Sequence, residues 1–163
     1  MIRRASLFPT VPRLLCALFT AILLLQSVAA QTADTPPDVQ VIDAQDSTLD
    51  DWLWQKRPVV IFADSPEDPR FAEQIALVQQ RLEALADRDV VVLTDTDPAA
   101  RNPIRKALRP RGFMLAIIAK DGTIVARKPA PWDVREISRS IDKLPLRQQE
   151  VRDRIQGAAT ADR

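Results

Sequence analysis

The 163-residue sequence contains no histidine, and its one cysteine, Cys16, stands among the first 30 residues. Residues 31–163 therefore lack the commonest metal ligands, the usual general base and any thiol. No disulfide can brace that part of the chain, so its stability rests on packing. No glycine-rich phosphate loop, internal repeat or low-complexity block is present. Charge is nearly balanced, with 23 basic and 22 acidic residues, and nothing in that balance calls for a nucleic-acid partner. After Leu14–Leu25 there is no second long apolar run. The remainder is expected to be soluble, with no membrane insertion.

What is present begins with an export signal. Arg3, Arg4 and Arg13 precede an uncharged apolar stretch, Leu14–Leu25, and Ser27-Val28-Ala29-Ala30 supplies small residues for cleavage. An apolar run of about 12 residues suits a signal peptide and is too short to cross a bilayer. Residues 1–30 are read as that signal, and the product as periplasmic or secreted. Arg3-Arg4 hints at twin-arginine export, but Ala5-Ser6 lacks the bulky apolar residue expected after the pair. Cys16, preceded by Arg13-Leu14-Leu15, does not sit in a lipid-attachment context and is removed with the signal. Cleavage leaves 133 residues with a net charge of −2, a length that fits one domain. Within it, residues 31–38 read as a flexible tether and 39–156 as the domain. Residues 145–156 form an appended helix, and 157–163 a disordered tail.

Val39–Ile42 reads as an edge strand. Ser47-Thr48-Leu49-Asp50-Asp51 has the character of a helix start, with Leu49, Trp52 and Leu53 on one face. Val59–Ala63, behind Pro58, is a continuous β-branched and aromatic run, as expected of a strand covered on both faces. Asp68-Pro69 opens a helix. Phe71, Ile75, Val78, Leu82 and Leu85 hold helical spacing through it without a break. Val90–Leu93 is a second buried strand. A short helix is expected over Pro103–Leu108, then an apolar strand over Phe113–Ala119. The Asp121-Gly122 turn leads into Ile124–Arg127. Asp133 and Glu136 resemble a capping box for a helix carrying Val134, Ile137, Ile141 and Leu144. Alternating strands and helices closed by a hairpin imply an α/β fold: a mixed sheet of four to five strands with helices on both faces.

That order resembles the thioredoxin fold, over about residues 39–144. The thioredoxin chemistry does not carry over. Aligning Phe62-Ala63 with the family's aromatic-alanine pair puts Pro66 and Pro69 where two thiols would stand. Val60 takes the place of a buried aspartate. Thiol–disulfide exchange and peroxide reduction are therefore not expected. Trp54-Gln55-Lys56-Arg57-Pro58, Gln74, Arg88-Asp89-Val90-Val91-Val92, Lys120-Asp121-Gly122 and Ile141–Glu150 also resemble a family of exported bacterial domains, domain of unknown function 4174. That likeness implies a thioredoxin- or peroxiredoxin-like fold with no assigned activity.

Candidate site residues fall in three groups. Asp64 and Glu67 follow one central strand, and Asp95 and Asp97 follow its neighbour. Ligands favour that edge of an open α/β sheet. Asp64, Asp95 and Asp97 are a candidate oxygen-ligand set for calcium or magnesium, or an acid–base pair. They are also ordinary caps and turns. Gln74, at the border of the apolar stripe, is a candidate polar contact. Arg101, Arg105, Lys106, Arg109 and Arg111 read as a solvated basic face. Asp142, Arg147 and Glu150 are placed to pair with Arg57 or Lys56 and dock the last helix. Together with Lys120 they complete the binding candidates. Trp52, Trp54 and Trp132 are expected to pack in the core or at its rim. No cofactor is expected. The leading reading is an exported, non-enzymatic module that binds a protein or peptide in the periplasm. A carboxylate-based enzyme or cation site is the second reading, and a structural envelope component the third.

Overall fold

The computed structural model describes residues 39–45 and 47–161. The expected signal at 1–30, the expected tether at 31–38 and the last two residues of the expected tail lie outside the described residues. Five strands form one sheet: β1 (Val41–Asp43), β2 (Arg57–Phe62), β3 (Val90–Asp95), β4 (Met114–Ile118) and β5 (Ile124–Lys128). Their order is β1-β3-β2-β4-β5. β1 and β2 run parallel to β3, while β4 runs antiparallel to both β2 and β5.

Side chains on the central strands alternate between two apolar layers, which is why these strands read as unbroken hydrophobic runs. Val59, Ile61, Val90, Val92, Leu115 and Ile117 face one layer. Helices α1 (Pro69–Gln79), α2 (Leu82–Ala86) and α4 (Val134–Asp142) cover it through Val78, Leu85, Ile137 and Ile141. Val60, Phe62, Val91, Leu93, Ala116 and Ile118 face the other layer, against Ile104 and Leu108 of α3 (Pro103–Leu108). The result is a three-layer α/β/α sandwich of the thioredoxin-like class, followed by a last helix, α5 (Pro145–Ala161).

Side-chain caps start α1, α3 and α4. The carboxylates of Asp68 and Asp133 accept from the backbone N–H of Arg70 and Arg135, at 2.9 and 2.6 Å. The Asn102 side chain accepts from Arg105 N–H at 2.7 Å. Such caps contribute about 1 kcal/mol each. Glu136 does not complete a capping box, because its carboxylate pairs with Arg139 at 2.7 Å. At the hairpin, Gly122 has φ +83°, and a Cβ there would come within 3.0 Å of Leu53 Cδ2.

Three expectations need correction. The helix expected from Ser47 is only a 3-10 turn, Asp50–Trp52. Leu53 ends it with ψ 130°; Trp54 then takes φ +61°, and its N–H turns away to the carbonyl of Lys120 at 2.7 Å. The long helix through Leu85 is two helices interrupted at Gln80 and Arg81. Val78 and Leu82 sit four residues apart on either side of the break, so periodicity could not reveal it. The last helix continues to Ala161 rather than ending at Gln156, and residues 157–161 of the expected tail are helical. From Val151 onward it is exposed on every side, so no apolar stripe marked its length.

Candidate functional site

Arg57 opens β2 with its side chain 1% exposed. A guanidinium that deep must be paired and hydrogen-bonded, because desolvating an isolated charge costs several kcal/mol. Its Nη2 donates to both Glu150 oxygens at 2.9 Å, and its Nη1 donates to the Arg88 carbonyl at 2.8 Å. Lys120, just beyond β4, reaches Asp89 at 2.8 Å and Glu150 at 3.1 Å. Arg88 grips Asp142 with two bonds, 2.9 and 2.7 Å. Arg147 lies 3.8 Å from Asp142 and 3.6 Å from Glu150. These last contacts are Coulombic only, since Arg147 Nε and Nη1 make no hydrogen bond among the described residues. Four cations and three anions thus interlock at the amino end of β2, where α5 begins.

Backbone geometry prepares this cluster. Asp89 takes φ +52°, a conformation that aspartate tolerates better than most residues. That turn lets its carbonyl accept the Arg57 N–H at 2.8 Å. Its carboxylate thereby meets Lys120.

Two acids in the cluster have displaced pKa values. For Glu150, burial pushes upward, but hydrogen bonds from Lys120 and Arg57 and their charges outweigh it. The net direction is below the ordinary 4.5. For Asp89, burial again pushes up and Lys120, Lys56 and Arg57 pull down, leaving it below 3.8. Folding therefore favours both ionised forms. Their stabilisation is fully present above the unfolded-chain values of 4.5 and 3.8 and is lost as pH falls through the lower folded values. A melting-temperature profile should be flat, as far as these groups go, from about pH 7 to about pH 5 and fall below that. Lys120→Met should flatten the acid limb, since it removes a principal partner of both acids. An acid limb unchanged in that variant would contradict the assignment.

Beside the cluster lies a cavity of about 450 Å³, between the β4–β5 turn and the start of α5. Ala119, Val125, Leu144 and Leu146 give it an apolar lining, and Arg57 and Lys120 form its charged wall. Trp54 stands on the same edge, tied by its N–H to the Lys120 carbonyl and 67% exposed. So exposed, it departs from the expectation that all three tryptophans pack in the core or at its rim. Trp52 packs against the Val60 layer, and Trp132 against the opposite one.

The other candidates separate from this cluster. Gln74 is fully buried, and its amide clasps the Trp132 backbone through bonds of 2.7 and 3.1 Å. It fastens α1 to the entry of α4 and is not a ligand contact. Asp95 is 3% exposed and bound by Arg105 at 2.6 Å. Asp64 meets the same arginine at 3.8 Å. Asp97 accepts from the N–H groups of Ala99 and Ala100. No group of three ligating side chains suited to a metal occurs among the described residues. Arg105 thus pairs with two of the three acids of the candidate cation set, Asp95 closely and Asp64 at longer range. Glu67 is exposed and accepts from the Ser65 hydroxyl, a bond that, more than anything else, holds its pKa low.

Sequence reasoning set Asp142, Arg147 and Glu150 to pair with Arg57 or Lys56, and the structure gathers them about Arg57. Lys120, named only as a separate binding candidate in that reasoning, also belongs here. The same reasoning missed Arg88 and Asp89 as members. Their signal was a charged pair set directly before a buried strand.

The fold and its strand order define a thioredoxin-like domain. A family model described as a domain of unknown function (DUF4174) matches residues 48–150. That is more than half of the chain, and the protein belongs to this family. Among solved structures it is similar to a thioredoxin peroxidase I from Plasmodium yoelii, with 16% identity and a TM-score of 0.44. That match covers 62% of this chain and 79% of the other. A mitochondrial 2-Cys peroxiredoxin from Plasmodium falciparum matches at 17% identity and a TM-score of 0.39. There the coverage is 56% and 77%. Comparison with curated proteins finds no match.

Proposed function

We propose that this protein is an exported binding module that captures a protein or peptide in the periplasm without thiol chemistry. The observation that carries the reading is an exposed Trp54 whose backbone N–H is bonded to the carbonyl of Lys120, a residue of the cavity wall. A tryptophan 67% exposed is held at φ +61° against the Lys120 turn, next to an apolar recess. A large side chain in the left-handed region costs about 1–2 kcal/mol, and exposing it forgoes the gain from burial. Tryptophan is among the residues that dominate binding energy at protein interfaces. An apolar side chain of the partner would enter the recess. Arg57 and Lys120 would favour a carboxylate or carbonyl beside it. A chain cleaved after residue 30 carries no cysteine, so dithiol exchange and peroxide reduction are absent from this reading.

The test places a photo-crosslinking residue at Thr123, an exposed position on the cavity rim, in cells exporting the full protein. Ultraviolet light should give a discrete adduct with an envelope protein. Trp54→Gly should lower its yield about tenfold or more while leaving the melting temperature unchanged or raised, because glycine relieves the backbone strain. A yield equal in Trp54→Gly, or no adduct beyond that from a crosslinker at exposed Ala99, past the opposite end of β3, would refute the reading.

A further inference from the structure

A second recess lies at the opposite end of the β4–β5 hairpin, where β4 begins and β5 ends. Its volume is about 410 Å³. Four cations surround it from two separate stretches of chain: Arg109 and Arg111 from the loop after α3, and Arg127 and Lys128 from β5. Phe113 and Met114 give it an apolar floor. No ion pair among the described residues engages any of the four. Lys128 lies 4.2 Å above the Trp132 ring. That contact orients its ammonium without neutralising it. Arg70, 5.4 Å from the Phe113 ring centre, is already paired with Asp68 at 2.7 Å and is not part of the cluster. Asp64 approaches the loop at Gly112, but it already faces Arg105.

Folding does not explain this gathering. The whole chain carries a net charge of only +1, so the cluster is no by-product of a basic protein. Like charges converging on an apolar surface repel, and stability would favour dispersing them. At the other end of the sheet every cation has an anion within reach. Here the backbone works to assemble cations: Arg109 takes φ +49° and Gly112 φ +62°, so the loop turns twice and points back toward β5.

We propose that this recess binds a phosphate ester carrying an apolar group. Three guanidinium groups suit a tetrahedral dianion, because each planar fork can donate two parallel hydrogen bonds to phosphate oxygens. The volume suits a small molecule or a headgroup. The floor of Phe113 and Met114 takes the apolar part. The ester is a soluble phosphomonoester or the phosphomonoester headgroup of phosphatidic acid, and both present the same terminal phosphate to the pocket.

Titration calorimetry of residues 31–163 with monomeric octyl phosphate tests the assignment. Saturable binding is expected, with inorganic phosphate about tenfold weaker or more because it lacks the tail. Arg111→Ala with Arg127→Ala should weaken octyl phosphate by about a hundredfold. Both residues are exposed, so the melting temperature should hold. Lys106→Ala, on the exposed face of α3 and outside the recess, should leave affinity unchanged. Flotation with phosphatidic acid vesicles, lost in the double variant and absent with phosphatidylglycerol vesicles of equal charge, would support the pocket and identify a lipid as the source. Calorimetric binding without flotation would support it with a soluble ester. The proposal is overturned if octyl phosphate does not saturate, if the double variant binds equally well, or if an aspartate-rich peptide binds more tightly than the ester. The Trp54 cavity plays no part in any of these readouts, so failure here leaves the peptide-binding reading standing, and the reverse.

Discussion

Glu150→Ala should destabilise the protein by about 3 kcal/mol, lowering the melting temperature by about 10 °C or more. The effect comes from what the substitution leaves behind. Arg57 is 1% exposed, and both bonds from its Nη2 end on Glu150. Without that carboxylate the guanidinium keeps the Arg88 carbonyl and a distant Asp89 at 3.8 Å, while its Nε already lacks a partner. A buried charge short of partners costs far more than a surface ion pair contributes. Glu150→Gln, which can still accept one bond, should fall between alanine and the native residue. Arg57→Met combined with Glu150→Ala should recover much of the loss, because no stranded charge remains. Chemical denaturation of the native protein, Glu150→Ala, Arg57→Met and the double variant closes the cycle. A coupling energy below about 0.5 kcal/mol would show that α5 is not fastened through this pair.

Arg105→Met should cost about 3–4 kcal/mol by the same physics at the other edge of the sheet. Arg105 donates to the Asp95 carboxylate at 2.6 Å and to the carbonyls of Ala63 and Asp95 at 2.8 and 3.1 Å. Its guanidinium also lies over the Phe62 ring, 5.4 Å from the centre. Methionine fills part of the volume and leaves Asp95, 3% exposed, ionised and unpaired. Arg105→Lys keeps the charge but cannot span three acceptors, so it should cost about half as much. The experiment also bears on the cation reading. If Asp64 and Asp95 served a metal, freeing them from Arg105 should let millimolar calcium raise the melting temperature of the Arg105→Met variant above that of the native chain. No such rise is expected, because no third ligating side chain is at hand among the described residues. A calcium-dependent rise would reopen that reading.

Legibility in the sequence followed the range of the interaction. Val59–Phe62 and Val90–Leu93 were readable as strands because burial on both faces demands unbroken apolar runs. Asp68-Pro69, Asn102-Pro103 and Asp133 announced helices because a cap is a contact between near neighbours. The interruption at Gln80 and Arg81 was hidden, since the apolar spacing is the same with or without it. Gln74 looked like a polar residue near a ligand edge. It is a clasp across 58 positions of chain, and only the packing of α1 against the loop before α4 could show that. Trp54 read as one more aromatic beside a strand, and its exposure depends on the Lys120 carbonyl, which is remote in sequence.

The order of its strands and helices, its two-faced hydrophobic sheet and the absence of thiols beyond Cys16 were settled by the sequence, because each depends on residue type and short spacing. Which charges meet was decided by the tertiary structure. Arg57 and Glu150 are 93 positions apart, and Arg109 and Arg127 belong to different elements. Charged side chains carry no periodic signal, and the Coulomb energy that makes a pair matter depends on separation and burial, both of which exist only once the chain is folded.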